Sequence, residues 1–364
     1  MFEQFRSIEE PYLAVNEEQA RANISAMALR FRDKGIAFRP HFKTHQSLEV
    51  GRWFKDEGVE SITVSSVKMA LSFALDGWKD ITLGIPFQPG QAFSVKEIAS
   101  LCHLNLIVDD ASVLPHIPKI SRGTIGVFIK INAGYKRAGL LWTDEDAIEK
   151  LLLDIKTYSH LRFIGFLAHD GHTYKAGSRE EIRSIRQISD QRLGHLKSVF
   201  NAHNPIISVG DTPSCSLNGD FNEVDEVRPG NFVFYDMQQH ALGSCEINQI
   251  AAAVVCPVLA VYPSEGRIII HGGAVHLSKD MYQQDKEMVF GKLMLFENGQ
   301  LIEPAEAMFV NSLSQEHGMI YSSLENLKDF RPGQSLAILS AHICLTVACQ
   351  RRYSIGAGNW TNVI

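Results

Sequence analysis

The side chains best suited to chemistry stand in a short basic segment, 39–45, which reads Arg-Pro-His-Phe-Lys-Thr-His. This segment directly follows an apolar run, 36–38, that is typical of a buried strand. Lys43 is crowded by Arg39 and two histidines, and nearby like charges disfavour the ammonium form of a lysine. A partly neutral lysine is a nucleophile suited to Schiff-base chemistry. Taken alone, these seven residues also fit an ordinary solvated loop lysine.

A second candidate site is the pair His342 and Cys344, which one residue separates. On an extended chain, residues i and i+2 point to the same side, so the imidazole and the thiol could share a metal ion. Histidine nitrogen and cysteine thiolate are borderline-soft ligands that favour Zn²⁺. Two protein ligands would leave coordination positions for water and substrate, as in catalytic sites. Taken alone, so short a pair also arises by coincidence.

Two turns could bind a phosphate group. The turns 210–212 and 230–231 offer backbone N–H groups and the hydroxyl of Thr212. They accompany the last two of eight predicted strands, and this end of a barrel is a common phosphate site. The alternative is ordinary turn formation, which Gly, Asp and Asn favour.

Eight short apolar runs would position these groups: 36–38, 61–64, 81–85, 104–108, 127–131, 163–167, 206–209 and 231–235. Most intervals between them have helical periodicity, for example 146–158 and 178–201, whereas 210–229 is too irregular to predict a helix. This alternation predicts an α/β fold, a closed (β/α)8 TIM-type barrel spanning 16–244. An open doubly wound sheet is the alternative. The absence of a Gly-x-Gly-x-x-Gly motif and of a phosphate loop removes its usual nucleotide-binding forms.

The C-terminal third, 245–364, predicts a second and mainly β domain. Its strand-like segments are separated by Gly and Pro turns, without a long helix: 251–261, 266–270, 307–310 and 336–339. A further strand within the N-terminal part, 1–15, precedes the barrel. We expect this strand to join the C-terminal sheet.

Composition excludes several classes of function. The chain has 364 residues with Lys+Arg 35 and Asp+Glu 41, and this net charge of −6 argues against binding to nucleic acid. The longest apolar stretch, 250–262, is too short to cross a bilayer. The N-terminal residues lack the order of a signal peptide, and the six scattered cysteines predict free thiols in a reducing cytoplasm.

The segment 39–45 resembles the cofactor-lysine segment of the D-threonine aldolase and D-serine dehydratase family. That family has the pyridoxal-phosphate fold of alanine racemase, a barrel followed by a β domain. Further segments resemble motifs of the family in the same order along the chain: 132–139, 169–174, 210–214, 228–232, 316–318 and 342–344. The resemblance therefore spans nearly the whole chain.

The resemblance implies roles for individual residues. Lys43 would carry pyridoxal 5'-phosphate and act as a base, and Arg137 would stabilise the anion of the cofactor's phenolic oxygen. The remaining implied cofactor contacts are His169, Tyr174, Thr212, Gly230 and Asn231. The implied ligands of Zn²⁺ or Mn²⁺ are His342 and Cys344. The family's dehydratases carry His-x-Cys and its aldolases usually His-x-Asp, so this chain has the dehydratase form.

Three positions depart from the family's pattern. Asn132 stands where an acidic residue is expected, and Gln46 where a second lysine is common. His271 begins a turn that more usually contains aspartate. Glu316 and His317 could reach the metal region, or they could simply end a strand before Gly318.

The implied function is a lyase that acts on small D-configured β-hydroxy amino acids. D-serine dehydratase activity, which yields pyruvate and ammonia, is the favoured prediction, and D-threonine aldolase activity, which yields glycine and acetaldehyde, is the alternative. Three other functions remain open as alternatives. An amino-acid racemase would need no metal. A non-catalytic cofactor-binding protein would need no β domain, and a metal-only barrel hydrolase would need no pyridoxal phosphate. The resemblance also implies a homodimer.

Overall fold

The computed structural model describes residues 8–217, 221–297, 300–356 and 359–364. These residues form two compact units. The barrel unit consists of Ser25–Lys43, Val50–Gly230 and Ile364. The sheet unit consists of 8–24, Thr44–Glu49 and Asn231–Val363. The chain thus leaves the barrel unit directly after Lys43.

The described chain begins with β1 (Tyr12–Val15) and α1 (Glu17–Arg32). Eight parallel strands then form the sheet of the barrel unit: β2 (Ala37–Phe38), β3 (Ser61–Val64), β4 (Asp80–Pro86), β5 (His103–Val108), β6 (Ile125–Asn132), β8 (Leu161–Leu167), β9 (Ile206–Val209) and β10 (Glu226–Val227). A two-residue strand, β7 (Leu140–Leu141), pairs with β6. The helices that follow these strands are α2 (Leu48–Asp56), α3 (Val67–Leu75), α4 (Ala92–Leu101), α5 (Glu145–Lys156), α6 (Arg179–Val199) and α7 (Thr212–Ser216).

Hydrogen bonds close the eight strands into a barrel. The pairing order is β2-β10-β9-β8-β6-β5-β4-β3. Just after β2, Phe42 N donates to Thr63 O, and Thr63 N donates to Pro40 O, both at 2.9 Å. These bonds join the two ends of the order. The predicted barrel is therefore confirmed, and the doubly wound alternative is wrong.

The eighth strand lies earlier than the sequence predicts. Residues 231–235 were expected to form it, but Asn231–Val233 is a single 3-10 turn and the strand is β10. The reason is that β10 carries a charge, since Glu226 is buried and pairs with Arg39 at 2.6 Å. Pro229 also supplies no N–H for a strand ladder. Arg228 and Gly230 thus follow the eighth strand rather than open it.

The two longest helices that follow the barrel strands begin at side-chain caps. Asp144 accepts a hydrogen bond from Ala147 N at the start of α5, and Ser178 accepts one from Glu181 N at the start of α6. Inside α6, Arg186 is fully buried and pairs with Asp170 at 2.6 Å. This ion pair fixes the loop after β8, where several candidate residues lie.

Replacing Gly165 by alanine is expected to destabilise the barrel unit. Gly165 pairs with Ile206 of β9, and a Cβ atom at Gly165 would lie 2.0 Å from Ile206 O. Backbone in a paired strand cannot yield easily, so we expect the free energy of unfolding in urea to fall by about 3 kcal/mol. Gly177→Ala is the control. Its Cβ would meet only the flexible Glu181 side chain, at 3.6 Å, and a change below about 0.5 kcal/mol is expected. Equal stability of the two variants would contradict this account.

The sheet unit is built from antiparallel strands. Its strands besides β1 are β11 (Ala252–Tyr262), β12 (Arg267–His271), β13 (Tyr282–Gln284), β14 (Glu287–Val289), β15 (Gly291–Glu297), β16 (Gln300–Ile302), β17 (Phe309–Leu313), β18 (His317–Tyr321), β19 (Ser335–Ser340), β20 (Arg352–Ile355) and β21 (Asn359–Asn362). Its short helices are α8 (Met237–Ala241), α9 (Ala274–Leu277), α10 (Leu324–Leu327) and α11 (Ile343–Cys349). The order β12-β18-β17-β15-β19-β11 closes on itself, because β11 also pairs with β12.

The N-terminal strand belongs to this sheet. β1 pairs antiparallel with β11 and parallel with β20. The first seven residues of the predicted N-terminal part lie outside the described residues. No helix among the described ranges is long and apolar enough to cross a membrane.

Candidate active site

The loop after β2 holds Lys43 on an anchored backbone. Phe42 is fully buried, and its ring centroid lies 4.8 Å from that of Phe54 and 5.1 Å from that of Trp78. Lys43 itself is exposed, and its backbone N donates to His41 Nδ1 at 3.3 Å. The burial of Phe42 therefore fixes an exposed lysine at the carboxyl end of the barrel strands, where barrel enzymes carry their chemistry.

The structure does not show the cluster of positive charge around Lys43 that the sequence predicts. Arg39 forms ion pairs with Glu226 at 2.6 Å and with Asp80 at 2.8 Å, so carboxylates balance its charge. Burial lowers the pKa of His45 to about 3, and its imidazole is neutral at pH 7. The prediction that Arg39 and two histidines crowd Lys43 with positive charge is thus wrong for Arg39 and for His45.

Other cations share the neighbourhood of Lys43. Burial lowers the pKa of His169 well below its usual value, and the charges of Lys130, Arg137 and Lys43 lower it further. His169 is therefore neutral, and its Nδ1 donates to Gly210 O. Three predicted site residues therefore lie near one another, since the charges of Lys43 and Arg137 both lower the pKa of His169.

Hydrogen bonds and ring contacts connect the remaining barrel residues of the predicted site. The ring of Tyr174 lies 6.5 Å from that of His169, and Tyr174 Oη accepts a hydrogen bond from Thr212 N at 3.1 Å. Gly230 N donates in turn to Thr212 Oγ1 at 3.4 Å. Nearby, Ser214 Oγ is buried without a hydrogen-bond partner among the described residues. This group of hydroxyls and N–H donors suits a phosphate group.

The turn after β6 shows how Asn132 replaces an acidic residue. Its Oδ1 accepts hydrogen bonds from Gly134 N at 3.1 Å and from Lys136 N at 2.9 Å. An amide oxygen therefore holds the turn as a carboxylate would. The turn leads to Arg137, whose guanidinium lies 5.3 Å from the ring centroid of Tyr135.

These barrel residues fit pyridoxal phosphate. Its phosphate and phenolate groups are anionic, and Lys43, Lys130 and Arg137 provide positive charge around His169. The unpartnered Ser214 Oγ offers a donor of the kind that a buried phosphate requires. Lys43 is exposed and can therefore react with an aldehyde.

The pair His342 and Cys344 lies in the sheet unit with a buried carboxylate. Burial alone lowers the pKa of His342, but the negative charges of Cys344 and Asp236 outweigh it and raise that pKa to about 11. Asp236 Oδ2 lies 3.4 Å from His342 Nδ1 and accepts a hydrogen bond from Ile343 N at 3.0 Å. A carboxylate in this position orients a metal-binding histidine. The donor set therefore fits a divalent cation.

The backbone at this pair differs from the extended chain that the sequence suggested. His342 is extended, but Cys344 lies in the first turn of α11. The side chains nevertheless interact, because Cys344 is among the groups that raise the pKa of His342. Thr44 Oγ1 also lies 3.2 Å from Cys344 Sγ. Asn231, a predicted cofactor contact, lies here too and donates from Nδ2 to Asp236 Oδ2 at 2.5 Å.

Comparison with known families identifies the chain. The family model described as "Alanine racemase, N-terminal domain" matches residues 15–238, which is more than half of the chain. The chain belongs to this family. A second model, described as "Putative serine dehydratase domain", matches residues 251–355. The predicted resemblance to an alanine racemase-like family that includes D-serine dehydratases is therefore confirmed.

Relatives of this alanine racemase family member are named as dehydratases. The chain is 27% identical to a D-serine dehydratase from Dictyostelium discoideum, over 95% of this chain and 92% of that protein. It is 26% identical to D-threo-3-hydroxyaspartate dehydratase from Delftia sp. (strain HT23), over 94% and 92% of the two chains. The solved structure of the Delftia enzyme covers 98% of each chain with a TM-score of 0.87 at 24% identity, which shows the common fold. A cysteine-to-alanine variant of that dehydratase has been solved in a metal-free form.

Glu316 and His317, which the sequence left open as residues of the metal region, have different contacts in this alanine racemase family member. Glu316 Oε2 lies 3.7 Å from His271 Nε2, and His317 shares a hydrogen bond with Ser314 Oγ at 3.3 Å. Glu316 thus belongs to a histidine cluster of its own. His317 is the first residue of β18, and its backbone N donates to Ser314 Oγ at 3.1 Å, which stabilises the turn before the strand.

The sequence patterns did not point to two residues that the structure adds to the candidate site. Asp236 is buried, and its position before the short helix α8 is the only signal that the sequence offers for it. Lys130 is a lone charge in the apolar run 127–131, which is a signal of function that was available. Burial lowers the pKa of Lys130 to about 7, with the charges of Arg228 and Arg137 acting in the same direction.

Lys130 should make stability depend on pH. Its pKa is lower in the folded state, so between about pH 7 and 10.5 the unfolded chain binds more protons and stability rises with pH. Below pH 7 Lys130 is charged in both the folded and the unfolded state, and burial of its ammonium group destabilises the folded state. We expect Lys130→Met to be more stable than the cofactor-free wild type at pH 6, by an amount that shrinks by at most about 1.4 kcal/mol per pH unit above pH 7.

Urea denaturation of both proteins from pH 6 to 10 measures this difference. Lys136→Met, which removes a lysine at an exposed position, is the matched control. A difference between Lys130→Met and the wild type that stays constant over this range would show that Lys130 does not titrate in it.

Proposed function

We propose that the protein is a pyridoxal-phosphate-dependent lyase that dehydrates D-serine with the help of a divalent metal ion. The observation that carries the proposal is the association of the half-buried His342 with the buried side chains of Cys344 and Asp236. A racemase has no need of such a donor set. A cofactor carrier has no need of it either, because it performs no elimination.

The relatives support the same function. The Dictyostelium protein is named a D-serine dehydratase, and the Delftia protein dehydrates a β-hydroxylated D-amino acid according to its name. The metal-free form of a cysteine-to-alanine variant of the Delftia enzyme supports a cysteine as a metal ligand there. Cys344, in the His-x-Cys arrangement, is the cysteine of this chain that we assign to that role.

Barrel residues would bind and orient the cofactor and move the proton. We assign Lys43 as the lysine that carries pyridoxal phosphate and as the base that removes the Cα proton of the substrate. Arg137 would stabilise the phenolate, and His169 and Tyr174 would line the pocket. The phosphate would be bound by Thr212 Oγ1 and by the backbone of Gly230 and Asn231. When bound, the cofactor supplies an electron sink for the developing negative charge at Cα.

His342 and Cys344 would hold the metal ion, which we propose is Zn²⁺, with Mn²⁺ as the other candidate. The metal supplies Lewis acidity toward the β-hydroxyl group, which is otherwise a poor leaving group. Asp236 orients His342 and holds the start of α11 through Ile343 N. Loss of the Cα proton and of the hydroxyl gives water and an enamine, which hydrolyses to pyruvate and ammonia.

A product assay tests this function. Purified enzyme with pyridoxal phosphate and Zn²⁺ is incubated separately with D-serine, D-threonine and D-threo-3-hydroxyaspartate. Pyruvate and ammonia from D-serine are expected. Glycine as the main product would establish the aldolase alternative, and L-serine without pyruvate would establish a racemase.

The assembly and location are further parts of the proposal. We propose a homodimer in the cytoplasm, on the basis of the resemblance to the alanine racemase family. None of the six cysteines, all of which lie in the described residues, forms a disulfide, which is consistent with a reducing compartment. Sedimentation equilibrium tests the dimer, and a fully active monomer would contradict it.

A further inference from the structure

A second group of metal-binding side chains lies in the sheet unit. His271 ends β12, His276 lies in α9, and Glu316 directly precedes β18. One ligand atom from each of these residues lies within 4.8 Å of the other two. The proposed lyase mechanism uses none of the three.

Backbone pairing brings the three residues together. β12 and β18 pair with His271 opposite His317, so Glu316 lies next to the end of β12. Gly272 N donates to Glu316 O at 2.9 Å. A Cβ atom at Gly273 would lie 2.2 Å from Gln315 O, so glycine is needed for this close approach. The close approach allows α9 to present His276 beside the two other side chains.

The cluster leaves a polar atom unsatisfied. His276 Nδ1 is buried and has no hydrogen-bond partner among the described residues. The rings of His271 and His276 meet edge to face, with their centroids 5.2 Å apart. A buried polar atom without a partner is unfavourable, and such an exception in a folded protein needs an explanation. A bound cation that accepts the nitrogen lone pair provides one.

We propose that His271, His276 and Glu316 bind one divalent transition-metal ion, at a site separate from His342 and Cys344. Two imidazoles and one carboxylate are a ligand set of Zn²⁺. Ligand atoms around a tetrahedral Zn²⁺ lie roughly 3.4 Å apart, given bond lengths of about 2.0–2.1 Å. His271 Nε2 lies 3.7 Å from Glu316 Oε2, and every pair of ligand atoms lies within 4.8 Å, so side-chain adjustments of roughly 1.4 Å or less bring all three to the metal.

A further observation agrees with this site. The exposed Glu10 places its Oε2 3.8 Å from His271 Nε2 and is available as a fourth ligand.

A metal ion at this site would also stabilise α9, which is hydrogen-bonded to α11. Gln350, at the end of α11, donates from Nε2 to His276 O at 3.1 Å. Thr346 Oγ1 donates to Leu277 O and to His342 O, both at 3.1 Å. A metal ion that fixes α9 therefore also restrains the helix that begins at His342.

Metal titration of the full chain with bound pyridoxal phosphate tests the site, with Co²⁺ as the probe. Wild-type protein should bind two Co²⁺ ions per chain, and one of them should show a thiolate charge-transfer band. Cys344→Ala should bind one ion without that band. His276→Gln should bind one ion with it, and the affinity of the other site should fall at least about 100-fold.

Glu316→Gln and His317→Gln complete the set. Glu316 is exposed, so its replacement does not threaten folding and should also remove the second ion. His317→Gln changes a neighbouring histidine outside the cluster and should keep both ions. The inference is overturned if Cys344→Ala binds no Co²⁺, or if His276→Gln and Glu316→Gln both bind two ions as tightly as the wild type. A wild type that binds one ion without the charge-transfer band would contradict the metal role of Cys344 in the proposed function and leave the cluster supported.

Discussion

Replacing Lys43 by alanine is expected to abolish lyase turnover, with a loss on the order of 10⁴-fold or more. Lys43 is both the proposed attachment point of the cofactor and the proposed base, so no other group compensates for it. The absorbance of the lysine-bound cofactor should disappear. Lys43 is exposed, so the fold should remain intact by circular dichroism.

Borohydride reduction followed by peptide mapping identifies the modified lysine directly. Lys175→Ala is the matched control, because Lys175 is exposed and adjoins Tyr174 in the sequence. That variant should keep its absorbance and its turnover. Labelling of Lys130 or Lys136 in place of Lys43 would refute the assignment, and Lys130 is the stronger competitor since its pKa of about 7 makes it nucleophilic.

Replacing His342 or Cys344 by alanine is expected to reduce β-elimination on the order of 10²-fold or more. Hydroxide is a poor leaving group at neutral pH, and the variants lose the Lewis acid that assists its departure. Binding of pyridoxal phosphate should remain nearly unchanged, because its proposed contacts do not include these two side chains. Exchange of the Cα proton with solvent deuterium should survive better than elimination, since it depends chiefly on Lys43.

Cys344→Asp distinguishes the metal role from a general loss of structure. A carboxylate is a harder ligand than a thiolate, so the preference for metal ions should shift from Zn²⁺ towards Mn²⁺ or Mg²⁺. Activity of this variant should recover with Mn²⁺ more than with Zn²⁺. Wild-type activity of either alanine variant in the presence of EDTA would rule out the metal assignment.

The sequence predicted the elements that depend on apolar runs. Seven of the eight barrel strands lie where such runs stand, because strands buried on both faces are nearly continuous in apolar residues. β10 escaped prediction because Glu226 is charged, and its burial depends on its ion pair with Arg39 and a hydrogen bond from Ser208 Oγ. An ion pair between residues 187 positions apart leaves no local signal in the sequence.

Some residues of the candidate site could likewise be predicted from the sequence, and others could not. Lys43 and the pair His342 and Cys344 could be selected from motif and spacing. Asp236 could not, because its importance arises from contacts with His342 and Ile343 that only the fold creates. His271 was visible as a departure from the family's turn, but its proximity to His276 and Glu316 depends on the pairing of β12 with β18.

Pyruvate formation from D-serine, before and after removal of metal, tests the central claim most directly. The wild type with pyridoxal phosphate should produce pyruvate, lose this activity after prolonged treatment with EDTA, and regain it when Zn²⁺ is added back. Undiminished pyruvate formation by the metal-free enzyme would contradict the proposed role of the metal. Absence of pyruvate under every condition would contradict the proposed reaction itself.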